Sequence, residues 1–300
     1  MNTPQTSPNP SACPCCFNLQ GLFNALEFIK FSHTIFALPF ALISMIVAAH
    51  GLPTLRTVLL ILLCMVAART AAMAFNRWAD WEFDKTNPRT ARRSTLVTRA
   101  TACALYSLAT AVFVVSSILI NPLCGWLSPL AVLLILGYSL TKRFTAYTHA
   151  FLGLALAAAP MGAWAAVTGD LLTPVPWSLA AAVWFWVFGF DLIYATQDVE
   201  HDRRSGLHSF PARYGVKATL AMATLLHILA WIALAVFGWL AAMSVPYWIS
   251  LAIVAGALVY EHRLSRTGKL DQINVAFFQM NALVGVALFI GTALDVWMSY

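Results

Sequence analysis

The chain has 300 residues, 60% of them hydrophobic and 10% charged, with a mean hydropathy of +0.75. A soluble domain carries about 25% charged residues, so this composition excludes a water-soluble globule and points to a chain dissolved in lipid. The formal net charge of +6 implies no nucleic-acid partner, because basic loops at a bilayer surface account for it.

Residues 1–21 read as a disordered tail and 22–300 as one membrane domain. Residues 1–16 are polar and Pro-rich, without the basic start and apolar core of a cleavable signal peptide. Cys13, Cys15 and Cys16 form a CPCC cluster that lacks partner ligands at zinc spacing, so they read as part of the tail. Apolar stretches near twenty residues then recur, predicting nine helices at 33–50, 55–76, 97–120, 125–141, 147–168, 176–197, 217–241, 245–261 and 273–295. The expected fold is all-α: a polytopic membrane protein with nine transmembrane helices in one bundle and two Asp-rich cytoplasmic loops. Of the 18 Lys and Arg, 17 lie before helix 1, in or beside the loops after helices 2, 4, 6 and 8, or near the inner ends of those helices. Only Arg56 falls on the other side, so the positive-inside rule places those loops and the N-terminus in the cytoplasm.

In chain order, Lys30 stands just before helix 1, as an anchor or an anion ligand. Helix 2 carries Arg69 and leads into Asn76, Asp80 and Asp84. Four-residue steps drift about 40° on a helix, so these three share a face, with Arg69 on the same stripe about 10 Å deeper. Arg69 either pairs with an Asp of a neighbouring helix or holds an anionic or phenolic acceptor. The loop 77–96 adds Arg89, Arg92 and Arg93 beside Asp84. Helix 4 ends with Tyr138 and Lys142 one turn apart; Lys142 and Arg143 are inside anchors or anion ligands. Helix 6 repeats the pattern of helix 2. Asp191 lies deeper, Tyr194 shares its face, and Asp198 and Asp202 sit at the mouth. These acids could instead pair with Arg203, Arg204 or Arg213. His33, His149 and His208 are candidates for polar contacts. Cys64, Cys103 and Cys124 lie in apolar helices and pack.

Only 12 Asp and Glu occur in the whole chain, and five of them fall in these two clusters at the edges of apolar runs. Carboxylates placed there are costly and usually functional. Two such faces together would form an oxygen cage for Mg²⁺, which keeps few protein carboxylates and completes its shell with substrate phosphates. The pattern suggests a membrane enzyme that handles a diphosphate, with the basic residues sharing the leaving group's charge. The two charged loops lie four helices apart, a weak internal duplication.

These residues resemble the UbiA superfamily of intramembrane prenyltransferases, over about residues 22–295. Its two motifs, N-x3-D-x3-D and D-x2-Y-A-x2-D-x3-D, are both present in full, as Asn76/Asp80/Asp84 and Asp191/Tyr194/Ala195/Asp198/Asp202. The segments IKFSHTIFALPFA, NPRTARR, YSLTKRFTAYTH, GLHSFPARYG and NVAFFQMN look most like the 4-hydroxybenzoate polyprenyltransferase branch. One departure is Ser94-Thr95-Leu96-Val97-Thr98, where the family often has Pro and then a Pro-x-Gly turn. The resemblance implies that Asp80, Asp84, Asp198 and Asp202 bind Mg²⁺ and, through it, a polyprenyl diphosphate. Asn76 would join that shell, and Lys30, Lys142, Arg89 and Arg93 would face the diphosphate. Arg69, Tyr138 and Asp191 would lie near the aromatic acceptor and the nascent cation.

The expected reaction ionises an allylic diphosphate and lets an electron-rich ring attack the resulting cation, which the faces of Tyr138 or Tyr194 would stabilise. The proton would leave to Asp191, to diphosphate or to water. The expected acceptor is 4-hydroxybenzoate; a naphthoate-type ring of menaquinone synthesis, or a haem, would need the same chemistry. A transporter would need an aqueous path through both faces, which the short and nearly uncharged outer loops disfavour, and a membrane scaffold would not need two matched acid motifs. The expected setting is a bacterial inner membrane, with the active site facing the cytoplasm and lipid as a partner.

Overall fold

The computed structural model describes residues 36–86 and 96–299, and its regular elements are helices. Lys30, His33, Arg89, Arg92, Arg93 and the CPCC cysteines lie outside the described residues. The elements are α1 Leu38–Ala48, α2 Leu55–Ala79, α3 Trp81–Thr86, α4 Arg99–Ile120, α5 Pro122–Thr141, α6 Thr148–Thr168 and α7 Pro174–Ala195. They continue with α8 Val199–Arg204, α9 Phe210–Tyr214, α10 Val216–Leu240, α11 Val245–Ser265, α12 Leu270–Val275 and α13 Asn281–Met298. Among the described residues eight helices are long and apolar enough to cross a membrane, and α1 is a shorter apolar helix within the first expected span. The chain is an integral membrane protein.

Local chemistry sets most helix starts. Thr54 and Thr98 each accept a hydrogen bond from the backbone N–H three residues on, at 3.3 and 3.1 Å, the usual N-cap arrangement. Asn121 caps α5 through Cys124 N at 2.8 Å, and Pro122 follows in the first turn. Gly169, with φ of 75°, ends α6. The start of α11 is held from another helix: buried Asp295 of α13 accepts from Ser244 N at 2.7 Å and Tyr247 N at 3.3 Å. A carboxylate there also meets the positive end of the helix dipole.

The acidic stretches differ from the expected loops. Helix 2 runs three residues beyond its expected end at 76, and Asp80 is its C-cap. Asp84 lies in α3, with its N–H bonded to Asp80 O at 2.8 Å. Asp198 closes a 3₁₀ turn, Thr196–Asp198, and Asp202 lies in α8. The backbone keeps hydrogen-bonding internally past the apolar run, Asp80 N donating to Asn76 O at 2.9 Å and Asp84 N to Asp80 O at 2.8 Å, and the four-residue spacing then keeps the acids on one face. The last expected span, 273–295, is also interrupted: a π turn, Ala276–Met280, separates α12 from α13. Asn281 Nδ2 holds it open, donating to Phe277 O at 2.9 Å, Ala276 O at 3.4 Å and Glu261 Oε1 at 3.0 Å.

Helices α6, α7, α10, α11, α13 and α1 each pack on the next and close into a ring where α1 meets α6. Helices α2, α4 and α5 pack on one another and join that ring at α6. The core joins Phe40, Val183, Trp186, Leu234, Tyr247 and Leu288. Close approach of α7 to α10 depends on Gly189, where a Cβ would meet the ring of buried His227. Trp126, Trp177, Trp239 and Trp297 are exposed, each near the helix end expected to face away from the cytoplasm, as aromatic residues at a membrane boundary are.

Candidate functional site

The inner ends of α2, α5, α6 and α7 surround one pocket of about 300 Å³. Asn76, Asp80 and Asp84 enter from one side and Asp191, Tyr194, Asp198 and Asp202 from the other; Arg69, Tyr138 and Lys142 also line it. Four of the five carboxylates of the two clusters thus reach the pocket mouth region through helical turns that extend α2 and α7. Helices α2 and α7 do not pack tightly against each other; α6 lies between them.

Asp80 is buried, and its Oδ2 lies 2.6 Å from Lys142 Nζ and 3.3 Å from Asn76 Nδ2. Its Oδ1 is buried without a hydrogen-bond partner among the described residues. Burial raises the pKa of this carboxyl from its usual value, and the Lys142 ammonium opposes the rise. Lys142 also anchors the second acidic stretch, because its carbonyl accepts from His208 N at 2.8 Å. Arg143 has a different task. Its Nη2 donates to Ala79 O at 2.7 Å and its guanidinium lies 5.9 Å from the Phe83 ring centre, so it caps the C-terminus of α2.

Deeper in the pocket, Asp191 pairs with His149 rather than with Arg69. His149 Nδ1 lies 2.6 Å from Asp191 Oδ2. Among the described residues Arg69 makes no ion pair, and its Nε has no hydrogen-bond partner. The structural pairing of Arg69 with a neighbouring Asp, one of two readings of the sequence, is therefore absent from the described residues. Tyr194 stacks on Phe277 at 4.2 Å between ring centres, and Phe277 meets Phe36 at 5.4 Å and Phe190 at 5.5 Å. The π turn presents Phe277 there.

Arg69, Tyr138, Leu152 and Leu156 also line a second cavity, of about 510 Å³, between α2, α5, α6 and α7. Its walls are mostly Ala, Leu and Ile side chains, with Cys64 and Cys124 among them. An acid-lined pocket thus adjoins an apolar chamber, with Arg69, Tyr138, Leu152 and Leu156 common to both walls. Sequence reasoning missed Arg77, which is 2% exposed and lines the pocket beside Asn76. It also missed Phe277 and the pairing of His149 with Asp191. Among the described residues no three His, Cys, Asp or Glu side chains converge closely enough to hold a metal ion by themselves. The carboxylates, with the orphaned Asp80 Oδ1, fit a hard cation whose shell is completed by phosphate oxygens.

The profile of the UbiA prenyltransferase family matches residues 37–283. A 4-hydroxybenzoate octaprenyltransferase of Burkholderia mallei is 33% identical over 255 residues, covering 82% of this chain and 86% of the relative. One from Azoarcus sp. strain BH72 is 34% identical over 256 residues, covering 83% and 86%. The apo structure of a UbiA homolog from Aeropyrum pernix K1 superposes with a TM-score of 0.80 at 32% identity, over 88% of this chain and 98% of that one. A UbiA homolog from Archaeoglobus fulgidus bound to GPP and Mg²⁺ shares the fold, with a TM-score of 0.64 at 17% identity over 90% and 99% of the two chains.

Proposed function

The chain belongs to the UbiA prenyltransferase family, and we propose that it transfers a polyprenyl group from an allylic diphosphate to 4-hydroxybenzoate in quinone biosynthesis. The observation that supports this most is the junction of the acid-lined pocket with the apolar chamber at Arg69 and Tyr138. A diphosphate fits the mouth, an isoprenoid chain fits the chamber, and a carboxylate-bearing ring fits beside a buried guanidinium.

Asp80, Asp84, Asp198 and Asp202 would hold Mg²⁺, with Asn76 beside them. The ion supplies charge neutralisation of the leaving diphosphate. Lys142 lies next to Asp80 and can turn its ammonium toward a phosphate oxygen. Lys30, Arg89 and Arg93 are proposed as further phosphate ligands. The Tyr194 face, stacked on Phe277, and the Tyr138 ring offer π-density to the allylic cation. Arg69 orients the acceptor by a charge-assisted hydrogen bond. The apolar walls exclude water, so that the ring rather than solvent captures the cation. The site is proposed to face the cytoplasm of a bacterial inner membrane.

The test uses membranes that contain the full chain and a long-chain allylic diphosphate. Parallel arms hold 4-hydroxybenzoate, a dihydroxynaphthoate, or haem, with diphosphate release and product mass as readouts. A prenylated 4-hydroxybenzoate supports the reading. Product only in another arm moves the acceptor, and no product in any arm rejects the reading.

A further inference from the structure

We propose that His149 is the base that takes the ring proton in this transfer, with Asp191 as its positioning partner; this rests on the aromatic-acceptor reading above. His149 stands in the first turn of α6 and Asp191 on α7, and both line the pocket. His149 is 5% exposed. An ionised carboxylate only accepts hydrogen bonds, so the 2.6 Å contact of Asp191 Oδ2 with Nδ1 places a hydrogen on Nδ1, and in the neutral imidazole this leaves the lone pair on Nε2. Nε2 is buried and has no hydrogen-bond partner among the described residues. A buried basic nitrogen left unpaired costs stability, and a catalytic role accounts for such an atom. Arg69 and Tyr138, the groups at the junction of the two cavities, line the same pocket. An acceptor held by Arg69 and Tyr138 would share this pocket with His149.

The balance of the step is simple. The allylic C–O bond breaks and its electron pair leaves with the diphosphate. A ring π-pair forms the new C–C bond at the carbon ortho to the hydroxyl. The C–H bond at that carbon then breaks, its pair restores aromaticity, and the proton passes to His149 Nε2. The imidazolium formed is stabilised by the Asp191 carboxylate on Nδ1–H. In this arrangement Asp191 positions the imidazole through Oδ2 and takes no proton itself.

The experiment compares wild type, His149→Gln and His149→Ala as full chains in membranes. Substrates are one long-chain allylic diphosphate and 4-hydroxybenzoate, either unlabelled or deuterated at both positions ortho to the hydroxyl. General-base loss typically costs about 100-fold or more, so kcat of His149→Gln falls by that much with KM for the acceptor little changed. A deuterium effect on kcat, small in wild type, becomes large in the variant because proton removal now limits the rate. Added imidazole restores His149→Ala in proportion to its concentration. Product in wild type with unchanged kcat in His149→Gln overturns this assignment alone. So does a loss with no isotope effect and no imidazole rescue, which marks a structural role. No product from wild type overturns the acceptor reading, and this assignment with it.

Discussion

The Lys142 ammonium lies 2.6 Å from Oδ2 of Asp80, and this contact joins the end of α5 to the end of α2. The two residues carry opposite charges that a diphosphate with its cation would separately engage, yet in the protein they satisfy each other. Asp80 is almost wholly buried, so without a partner its charge would be costly. Lys142→Met should therefore raise KM for the allylic diphosphate more than KM for the acceptor. It should also lower stability by about 1–3 kcal/mol, the cost of leaving a buried charged acceptor short of its donor. Steady-state kinetics in both substrates, with thermal unfolding in parallel, check this. Equal effects on the two KM values would mean that Lys142 acts on neither substrate specifically.

Activity should require Mg²⁺ or Mn²⁺, because Asp80, Asp84, Asp198 and Asp202 line the pocket and, among the described residues, no Cys does. Excess chelator should abolish turnover and added Mg²⁺ restore it. Asp198→Asn should lose activity by about 100-fold or more while its Tm stays near wild type, since Asp198 lies at the half-buried mouth. Normal turnover in either case would remove Asp198 from the cation site.

Arg69→Ala should weaken acceptor use far more than donor use. Among the described residues Arg69 makes no ion pair, and Asp191 is engaged by His149. Truncation should therefore cost little stability. Charge-assisted hydrogen bonds contribute about 1.5–3 kcal/mol, so KM for the acceptor should rise roughly tenfold to a hundredfold. An unchanged acceptor KM with a large drop in Tm would show that the guanidinium serves packing instead.

Asn281→Leu should close the π turn or leave it strained. Its amide donates to two carbonyls of the turn and to Glu261, both residues being 0% exposed. Losing these bonds leaves Glu261 buried without its donor, for about 1–3 kcal/mol. Phe277 should also lose its stacking on Tyr194, so products of water capture should rise relative to prenylated ring. Thermal unfolding and product analysis read both effects.

Gly189→Ala should destabilise strongly, because the added methyl meets His227, which is 2% exposed and itself bonded to Trp186 O at 3.2 Å. Overpacking of this kind costs about 1–3 kcal/mol. A Tm equal to wild type would show that α7 and α10 can separate freely.

The amino-acid sequence by itself determined the membrane class, the helical spans apart from local interruptions, and many of the residues that line the candidate pocket. Those features are periodic or compositional: apolar runs of bilayer length, carboxylates at four-residue steps, Tyr138 one turn before Lys142. Such relations are carried within one helix and survive whatever that helix packs against. Lys30, Arg89 and Arg93 belong to the same reading but lie outside the described residues. The tertiary structure alone decided which partners meet between helices. It gave Asp191 to His149 and not to Arg69, Lys142 to Asp80, Arg143 to the end of α2, and Phe277 to Tyr194. It also turned the expected acidic loops into helical extensions and opened the π turn, through Glu261 of another helix. Residues on different helices are set together by crossing angle, axial offset and side-chain volume summed over the whole bundle, and no spacing along one segment encodes that sum.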